Sequence, residues 1–272
     1  MSESKTAVIT GTTSGIGEAL AKHHAALGWN VVTVNRSEAS AAPQLEALRR
    51  DHPGATFAGA YGDLSDPAAV VAAAEAVAAA GPIDVFYNNA GVLLSEARPA
   101  STGIEMHTQV NLLAPYLFAR ALGDHLDGAT VVSTSTSAIG QAGGLRLEEL
   151  ADPPSFKKLT GPYAHSKLAL SALMAGLAKE RPETTWRSVE PGGVKTPMTT
   201  GDAMPKLLVP IRNLFFSSPE KAAQKVFDAG QLAGLVNGAY ISRGRAKPLP
   251  GNAAEPAVQA ALLDWCREVT GR

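Results

Sequence analysis

The sequence contains a single cysteine, Cys266, among 272 residues. One thiol excludes a disulfide framework within the chain and is typical of a protein from a reducing compartment. The chain also lacks an uncharged apolar run of the roughly 18 to 20 residues that a membrane span requires. The polar, charged stretch Met1–Lys5 leads straight into the first apolar run and leaves no room for a signal peptide. We therefore expect a cytoplasmic protein without a membrane span.

An excess of charge of either sign is missing as well. Lysine and arginine number 24 and aspartate and glutamate 25, so the net charge of -1 gives no indication of a nucleic-acid partner or an anionic membrane surface. The six histidines lack the spacing of metal ligands, and we expect no metal site. The chain is long enough for one large α/β domain with its own core.

A glycine-rich turn, Thr10–Gly17, follows the first apolar run and opens a helical pattern. A buried strand, a glycine turn and a helix in this order are typical of a dinucleotide-binding βαβ unit, although a tight turn without a ligand can give the same letters. Gly11 permits a tight exit from the strand, Gly15 lets the backbone approach a pyrophosphate, and Gly17 lets the helix pack closely on the sheet. The turn residues expected to contact a cofactor are Gly11, Thr13, Ser14, Gly15, Ile16 and Gly17.

Apolar, β-rich runs alternate with helical stretches along the rest of the chain. This alternation predicts an α/β, single-domain Rossmann fold over residues 1–272, with a doubly wound, parallel, seven-stranded sheet and helices on both faces. Ligands bind such sheets at the carboxyl ends of the strands. Two of the predicted helices are Pro43–Arg50 and Ile104–Leu126. The predicted strands are Ala7–Ile9, Val31–Asn35, Thr56–Tyr61, Ile83–Tyr87, Thr130–Thr134, Trp186–Val189 and Ala239–Ser242.

The second predicted strand ends in Asn35 and Arg36, about twenty residues after the glycine turn. At this distance an acidic residue would bind the ribose of NAD, whereas an arginine receives the 2′-phosphate of NADP. We therefore expect NADP(H) rather than NAD(H), with the alternative that Arg36 is a solvated loop charge and that Glu38 weakens the preference. After the third strand, Asp63 and Leu64 are candidates for the adenine pocket, and Asp63 is equally a candidate helix cap.

Two further motifs follow. The fourth predicted strand ends in Asn88-Asn89-Ala90-Gly91, where small residues let the backbone pass close to a cofactor and asparagines can tie strand ends together. Tyr163 and Lys167 lie four positions apart at the start of a helix, which places the phenol and the ammonium on one face. Lys167 and an oxidised nicotinamide would lower the pKa of Tyr163 towards working pH, whereas His165 should face elsewhere and be structural.

With these motifs the chain closely resembles the short-chain dehydrogenase/reductase family, over nearly its whole length. The resemblance implies an oxidoreductase in which Tyr163 is the general acid/base and Asn111 holds a water that links Lys167 to solvent. It also implies that the segment after the sixth strand grips the nicotinamide. The residues that carry this part of the resemblance are Pro191, Gly192, Val194 and Thr196.

The chain departs from the family's pattern at the hydroxyl that orients the substrate. The family usually has two serines after the fifth strand, and this chain has Ser133–Ser137, an alternation of serine and threonine. A gapless register from the strand places Thr136 at the catalytic position. Ser135 takes its place if the strand end bulges, and Ser137 is a third candidate.

The segment Leu147–Pro162 roughly doubles the family's usual distance between this hydroxyl and Tyr163. Such an insertion is similar to that of the retinol dehydrogenase-like branch, which implies an apolar carbonyl or alcohol substrate. The apolar stretch 197–218 is a candidate substrate lid, with core or interface packing as an equal alternative. Leu262, Leu263 and Trp265 are expected in the core or an interface.

Together these observations predict hydride transfer between NADP(H) and a carbonyl/alcohol pair on a small molecule. The protein would be a monomer or a homo-oligomer. The alternative on the same fold is a biosynthetic tailoring enzyme, for cyclisation or isomerisation, or a nucleotide-sensing protein.

Overall fold

The computed structural model describes residues 4–196 and 216–272. The strands are β1 (Thr6–Thr10), β2 (Asn30–Asn35), β3 (Phe57–Tyr61), β4 (Val85–Asn88), β5 (Thr130–Thr134), β6 (Thr185–Glu190), β7 (Ala239–Ser242) and β8 (Arg245–Lys247). The helices are α1 (Gly15–Ala26), α2 (Glu38–Asp51), α3 (Pro67–Ala79), α4 (Met106–Thr108), α5 (Ala114–Leu122), α6 (Glu148–Ala151), α7 (Pro162–Glu180), α8 (Pro219–Gln231) and α9 (Pro256–Thr270).

The eight strands form one sheet in the order β3-β2-β1-β4-β5-β6-β7-β8. The first seven are parallel, and β8 pairs antiparallel with β7. Chain order reverses at β1, which lies between β2 and β4, and this reversal opens a crevice at the carboxyl ends of β1 and β4. The predicted fold class is confirmed, and the sheet places every predicted strand end at this edge.

The sheet is buried on both faces because successive side chains of each strand point to opposite sides. In β1, Val8 packs into the core on one face, and Ala7 and Ile9 pack into the core on the other. Leu262 and Leu263 of α9 join the first of these cores, as expected. Within the described residues, no helix combines the length and hydropathy needed to cross a membrane. That residues 1–272 form a single domain stays a prediction.

The predicted count of seven strands is wrong by one, because β8 escaped the pattern. All three residues of β8 are exposed, so the strand carries no apolar alternation. Arg243 and Gly244 connect it to β7 with φ angles of 53° and 73°. Positive φ at both central residues is the geometry of a two-residue hairpin turn.

Two helices differ from their predicted bounds. α2 begins at Glu38 rather than at Pro43, since the Ser37 hydroxyl accepts a hydrogen bond from the Ser40 amide and caps the helix five residues earlier. The predicted helix Ile104–Leu126 is instead a series of α4, a π-helical turn at Gln109–Leu113, α5 and a final 3-10 turn. π turns in helices are rare and frequent at functional sites.

Candidate active site

A cavity of about 790 Å³ lies at the carboxyl ends of β1, β4 and β5. Of the predicted cofactor residues, all except Gly17 line it, and of the candidate catalytic residues, all except Asn111 do so. The predicted residues that line it are Gly11, Thr13, Ser14, Gly15, Ile16, Asn35, Arg36, Asp63, Leu64, Asn89, Ala90, Gly91, Ser135, Thr136, Ser137, Tyr163, Lys167, Pro191, Gly192, Val194 and Thr196.

The glycine turn forms one wall of the cavity. Gly15 has a φ of 63°, and a Cβ there would lie 3.0 Å from the Thr196 side chain across the cavity. A Cβ at Gly17 would collide with the carbonyl oxygen of Gly11, so α1 packs on the turn as closely as predicted. The side chain of Ser14, the N-cap residue of α1, makes no capping hydrogen bond. The first amides of α1 are therefore available to an anion at the cavity, which fits the pyrophosphate of a dinucleotide.

Asn35 lines the cavity with its side chain turned towards the start of the glycine turn. Its Oδ1 accepts a hydrogen bond from the Thr12 amide at 3.0 Å. Gln44 of α2 donates to the Thr12 carbonyl from the other side. Asn35 therefore ties β2 to the glycine turn. The next residue along the chain faces outward.

That next residue, Arg36, forms an ion pair with Asp63, with 3.3 Å between Nε and Oδ2. The two side chains are 75% and 43% exposed. Asp63 also accepts hydrogen bonds from the amide and hydroxyl of Ser65, and these bonds together with Arg36 lower its pKa despite partial burial. The cap of α3 is Asp66, which accepts from the Ala68 amide, so the alternative role of Asp63 as that cap is wrong.

Side chains tie the ends of β1, β4 and β5 together. Asn89 Nδ2 donates to the Thr10 carbonyl at 3.1 Å, and Thr134 Oγ1 donates to Asn89 Oδ1 at 3.4 Å. Asn88 Nδ2 donates to Ser133 Oγ at 3.3 Å. The asparagines therefore link strand ends as predicted, and the next residue, Ala90, lines the cavity.

Tyr163 lies in the first turn of α7, 8% exposed, with its side chain at the cavity. Burial raises the pKa of Tyr163, while a hydrogen bond with the Thr136 side chain acts in the opposite direction. The predicted lowering of this pKa includes an oxidised nicotinamide beside the phenol, and it stays a prediction. Desolvation of the phenolate exceeds the stabilisation it receives from the protein alone.

Lys167 follows one helical turn later and is 4% exposed. Its Nζ donates to the Thr134 carbonyl at 2.7 Å, and burial lowers the pKa of the ammonium to about 8. A Cβ on Gly91 would lie 3.3 Å from this Nζ, so the ammonium reaches the end of β4 as well. Tyr163 and Lys167, which the sequence predicts to act as a pair, thus both lie in α7 and line the same cavity.

Asn111 lies in the π turn, fully buried behind Gly91. Its Oδ1 accepts from the Val92 amide at 2.8 Å, and its Nδ2 donates to the Val92 carbonyl at 3.1 Å and to Ser166 Oγ at 3.2 Å. The side chain therefore positions the segment after β4. The water-binding role implied by the family resemblance stays a prediction.

The candidate hydroxyls after β5 differ in their partners. Ser135 Oγ lies 2.9 Å from Ser171 Oγ, and Ser171 Oγ lies 2.7 Å from Ser188 Oγ, so Ser135 belongs to a buried hydroxyl cluster between α7 and β6. Thr136 instead caps the following 3-10 turn through the Ala138 amide and lies close enough to the phenol of Tyr163 to lower its pKa. Of these two hydroxyls, only that of Thr136 acts on the pKa of the phenol.

Several residues that line the cavity were missed in the sequence. Val92, Leu93 and Leu94 directly follow the N-N-A-G motif and could have been found by extending it by three residues. The other lining residues outside the predicted set are Val34, Ser37, Ser40, Gly62, Ser65, Arg98, Met106, Val110, Thr134, Ala138, Gln141, Leu159 and Gly193. Phe216 lines the cavity at the edge of the predicted lid, and the rest of that lid up to residue 215 lies outside the described residues.

The chain matches known proteins over its whole length. The family model of short chain dehydrogenases matches residues 5–149, from β1 to the start of the insertion. The candidate daunorubicin C-13 ketoreductase DnrU of Streptomyces sp. (strain C5) is 30% identical over 98% of this chain and 93% of its own. Human retinol dehydrogenase 14 is 27% identical over 98% of this chain and 86% of its own. Both matches extend beyond residue 149, where the match to the family model ends.

One solved structure combines similarity of sequence and of fold. It is a blue fluorescent protein from a metagenomic library, in complex with NADPH, which is 28% identical and covers 88% of this chain and 96% of its own, with a TM-score of 0.67. At this score the two chains share the fold.

Proposed function

The chain belongs to the short-chain dehydrogenase family, whose members are oxidoreductases, and on that premise we propose that it is an NADPH-dependent reductase of apolar carbonyl compounds. Tyr163 is the proton donor, Thr136 orients the carbonyl, and Lys167 with Asn111 resupplies the proton. The retinol dehydrogenase-like relatives and the cavity wall support the apolar substrate.

One observation carries the proposal: Tyr163 and Thr136 line the same cavity, which the glycine turn borders, and the Thr136 side chain is close enough to act on the pKa of the phenol. Two hydroxyls that converge in this way can both donate to one carbonyl oxygen that enters between them. Because burial raises the pKa of Tyr163, the phenol keeps its proton at neutral pH, which is the state needed for reduction.

The residues present fit a dinucleotide. The open N-terminus of α1 would hold its pyrophosphate, and the residues Asn89, Ala90 and Thr196 border the space for its nicotinamide half. When bound, NADPH supplies the hydride to the carbonyl carbon. Arg36 favours the 2′-phosphate of NADPH, and the similar structure in complex with NADPH supports this choice.

Lys167 acts on the proton side of the reaction. Its ammonium is buried beside the phenol's helix turn and donates to the Thr134 carbonyl, which leaves its other two N–H groups for the phenolate or the ribose. A positive charge at this place stabilises the phenolate that remains after Tyr163 donates its proton. Asn111 keeps the segment after β4 in place beside Lys167.

Part of the cavity wall is apolar. Leu93, Leu94, Leu159 and Phe216 line the cavity, and they favour a ligand whose carbonyl is attached to a hydrocarbon skeleton. A polyhydroxylated substrate would lose hydrogen bonds to water against this wall without replacement.

The test is a panel of carbonyl compounds with the purified protein and NADPH, followed at the absorbance band of the reduced nicotinamide. We expect consumption with long-chain and polycyclic ketones and aldehydes, and little with sugars. NADPH binding without consumption on any carbonyl would overturn the proposal and favour the nucleotide-sensing or isomerising alternative. Consumption restricted to sugars would overturn the apolar substrate alone.

A further inference from the structure

The segment that follows β4, Val92–Leu94, runs along the helical region that starts at α4. Asn111 bonds both backbone groups of Val92, as described above. Leu93 and Leu94 line the cavity, so the position of this segment sets the shape of the apolar wall. The position of this apolar wall therefore depends on the side chains that hydrogen-bond to its backbone.

His107 holds the far end of this segment. Its Nε2 accepts a hydrogen bond from the Leu94 amide at 3.0 Å, and its Nδ1 lies 2.7 Å from the Glu105 carboxylate. An amide N–H can only donate, so Nε2 must carry a lone pair, and Nδ1 must then carry the proton that Glu105 accepts. His107 is fully buried and Glu105 is 4% exposed, which protects both bonds from water.

Glu105 is itself fixed in place. Its second carboxylate oxygen accepts from the Thr108 amide at 3.1 Å and caps α4. Its own amide donates to the Ala151 carbonyl at 2.9 Å, in α6 of the segment Leu147–Pro162. The carboxylate can therefore define the orientation and the tautomer of the imidazole that it accepts from.

His107 and Asn111 lie four residues apart, on one face of successive helical turns. They bond Val92 and Leu94, which lie two residues apart, so the two side chains grip alternate residues of an extended segment. The His107 ring also packs edge-on against the Tyr163 ring, with 6.0 Å between centroids. One buried imidazole thus contacts both the apolar wall and the proton donor without itself lining the cavity.

We propose that His107 is a positioning residue for the substrate end of the cleft: as the Nδ1–H tautomer fixed by Glu105, it holds the Leu94 amide and thereby the apolar wall formed by Leu93 and Leu94. The proposal rests on the proposed reductase function for its kinetic consequence. The His107 ring packs against the Tyr163 ring and bonds the Leu94 amide, which places this wall towards the Tyr163 end of the cavity, so we expect the bond to affect the KM of the carbonyl compound and not the affinity for NADPH.

Two substitutions separate the two bonds of the imidazole. In His107→Asn the side-chain amide lies where Nδ1 was, and it can still donate to Glu105 but leaves the Leu94 amide without an acceptor. In His107→Gln the amide oxygen reaches the Nε2 position and can accept from Leu94, but Glu105 loses its donor. Each variant leaves one buried polar group unpaired and removes the ring from Tyr163, so a merely structural role predicts similar losses in both.

We expect the carbonyl KM to rise about tenfold in His107→Asn and to stay within about threefold of the wild type in His107→Gln. The NADPH dissociation constant should not change in either, and a fall in kcat that both share reports the lost contact with Tyr163. Equal KM values in the two variants at comparable melting temperatures would overturn the proposal, as would a rise confined to NADPH binding.

A measurement on the wild type separates this proposal from the proposed function. Long-range proton–nitrogen correlation spectra, with the His107 signals assigned by their loss in His107→Gln, should show a protonated Nδ1 and an unprotonated Nε2 at neutral pH. The opposite tautomer would overturn the role of His107 even in an active reductase. The expected tautomer in a protein that consumes no NADPH would leave the hydrogen-bond arrangement in place and refute the reductase.

Discussion

The two ends of the cleft differ in how far water reaches them. At the Tyr163 end, defined by Tyr163, Lys167, Thr136 and Asn111, the first two side chains are 8% and 4% exposed and Asn111 is fully buried. At the Arg36 end, defined by Arg36 and Asp63, an ion pair lies largely in solvent. Exposed ion pairs contribute at most about 1 kcal/mol, because water and salt screen them. When one partner of a buried hydrogen bond is removed, water does not take its place and the other partner is left unpaired.

This difference separates the end of the cleft that would position the reacting groups from the end that would recognise the 2′-phosphate of the cofactor. At the Tyr163 end, Lys167 is held by the Thr134 carbonyl and Asn111 is held by the backbone of Val92. The Arg36 end has charges that can rearrange around a phosphate at low cost. We therefore expect substitutions at the first end to affect turnover strongly and substitutions at the second to affect cofactor choice modestly.

The largest effect is expected from Tyr163→Phe. It removes the proton donor and keeps the ring, so kcat should fall by roughly a thousandfold or more. The NADPH dissociation constant, measured by quenching or calorimetry, should change less than about twofold, since the phenol contributes little to holding the phosphates. Turnover within tenfold of the wild type would show that the buried end does not carry the chemistry.

The second effect compares neighbouring hydroxyls. Thr136→Val keeps the shape and removes the donor to the carbonyl, and kcat/KM should fall about a hundredfold. Ser135→Ala should lower it less than about threefold, because Ser135 faces Ser171 in the buried hydroxyl cluster. Steady-state kinetics of the two variants on one substrate decide the matter. A larger loss in Ser135→Ala would reverse the assignment.

The choice between these hydroxyls could not be made from the sequence. Periodicity located β5 to the residue and placed both candidates after it, but their orientation depends on Ser171, which lies 36 residues away along the chain. The glycine turn and the strand ends were predictable because their signals are local. Gly17 is an example, since its contact with Gly11 lies within the motif itself.

The misses have the same physical origin. β8 has no apolar residue on a buried face, so no hydrophobic pattern in the sequence predicts this edge strand. The π turn that contains Asn111 has the composition of an ordinary helix, and its register comes from the contacts of that helix with the segment after β4. The start of α2 was predictable in principle, because Ser37 is a strong capping residue that the proline at position 43 concealed.

The third effect is a pH dependence. Burial lowers the pKa of Lys167 to about 8, so its ammonium loses its proton well below the range of an ordinary lysine. The proposed role needs the charged form, and kcat/KM for reduction should be level below about pH 8 and fall about tenfold per pH unit above it. In Lys167→Arg, whose guanidinium stays charged, the remaining activity should lack this decline. A wild-type profile that is level to about pH 10 would contradict the role of the ammonium.

The smallest effect is expected at the Arg36 end. Arg36→Ala should raise the dissociation constant of NADPH about tenfold and leave that of NADH within about twofold, because only NADPH carries the 2′-phosphate. Asp63→Asn is the matched control: it removes the partner of Arg36 without removing the cation, and NADPH should bind as tightly as before or more tightly. Added salt should reduce the difference between the dissociation constants of NADPH and NADH in the wild type, because Arg36 is exposed and salt screens its attraction to the 2′-phosphate. Equal increases in the dissociation constants of both cofactors in Arg36→Ala would show that Arg36 does not select the phosphate. An increase of more than a hundredfold for NADPH would mean that the Arg36 end is as shielded from water and as tightly held as the Tyr163 end.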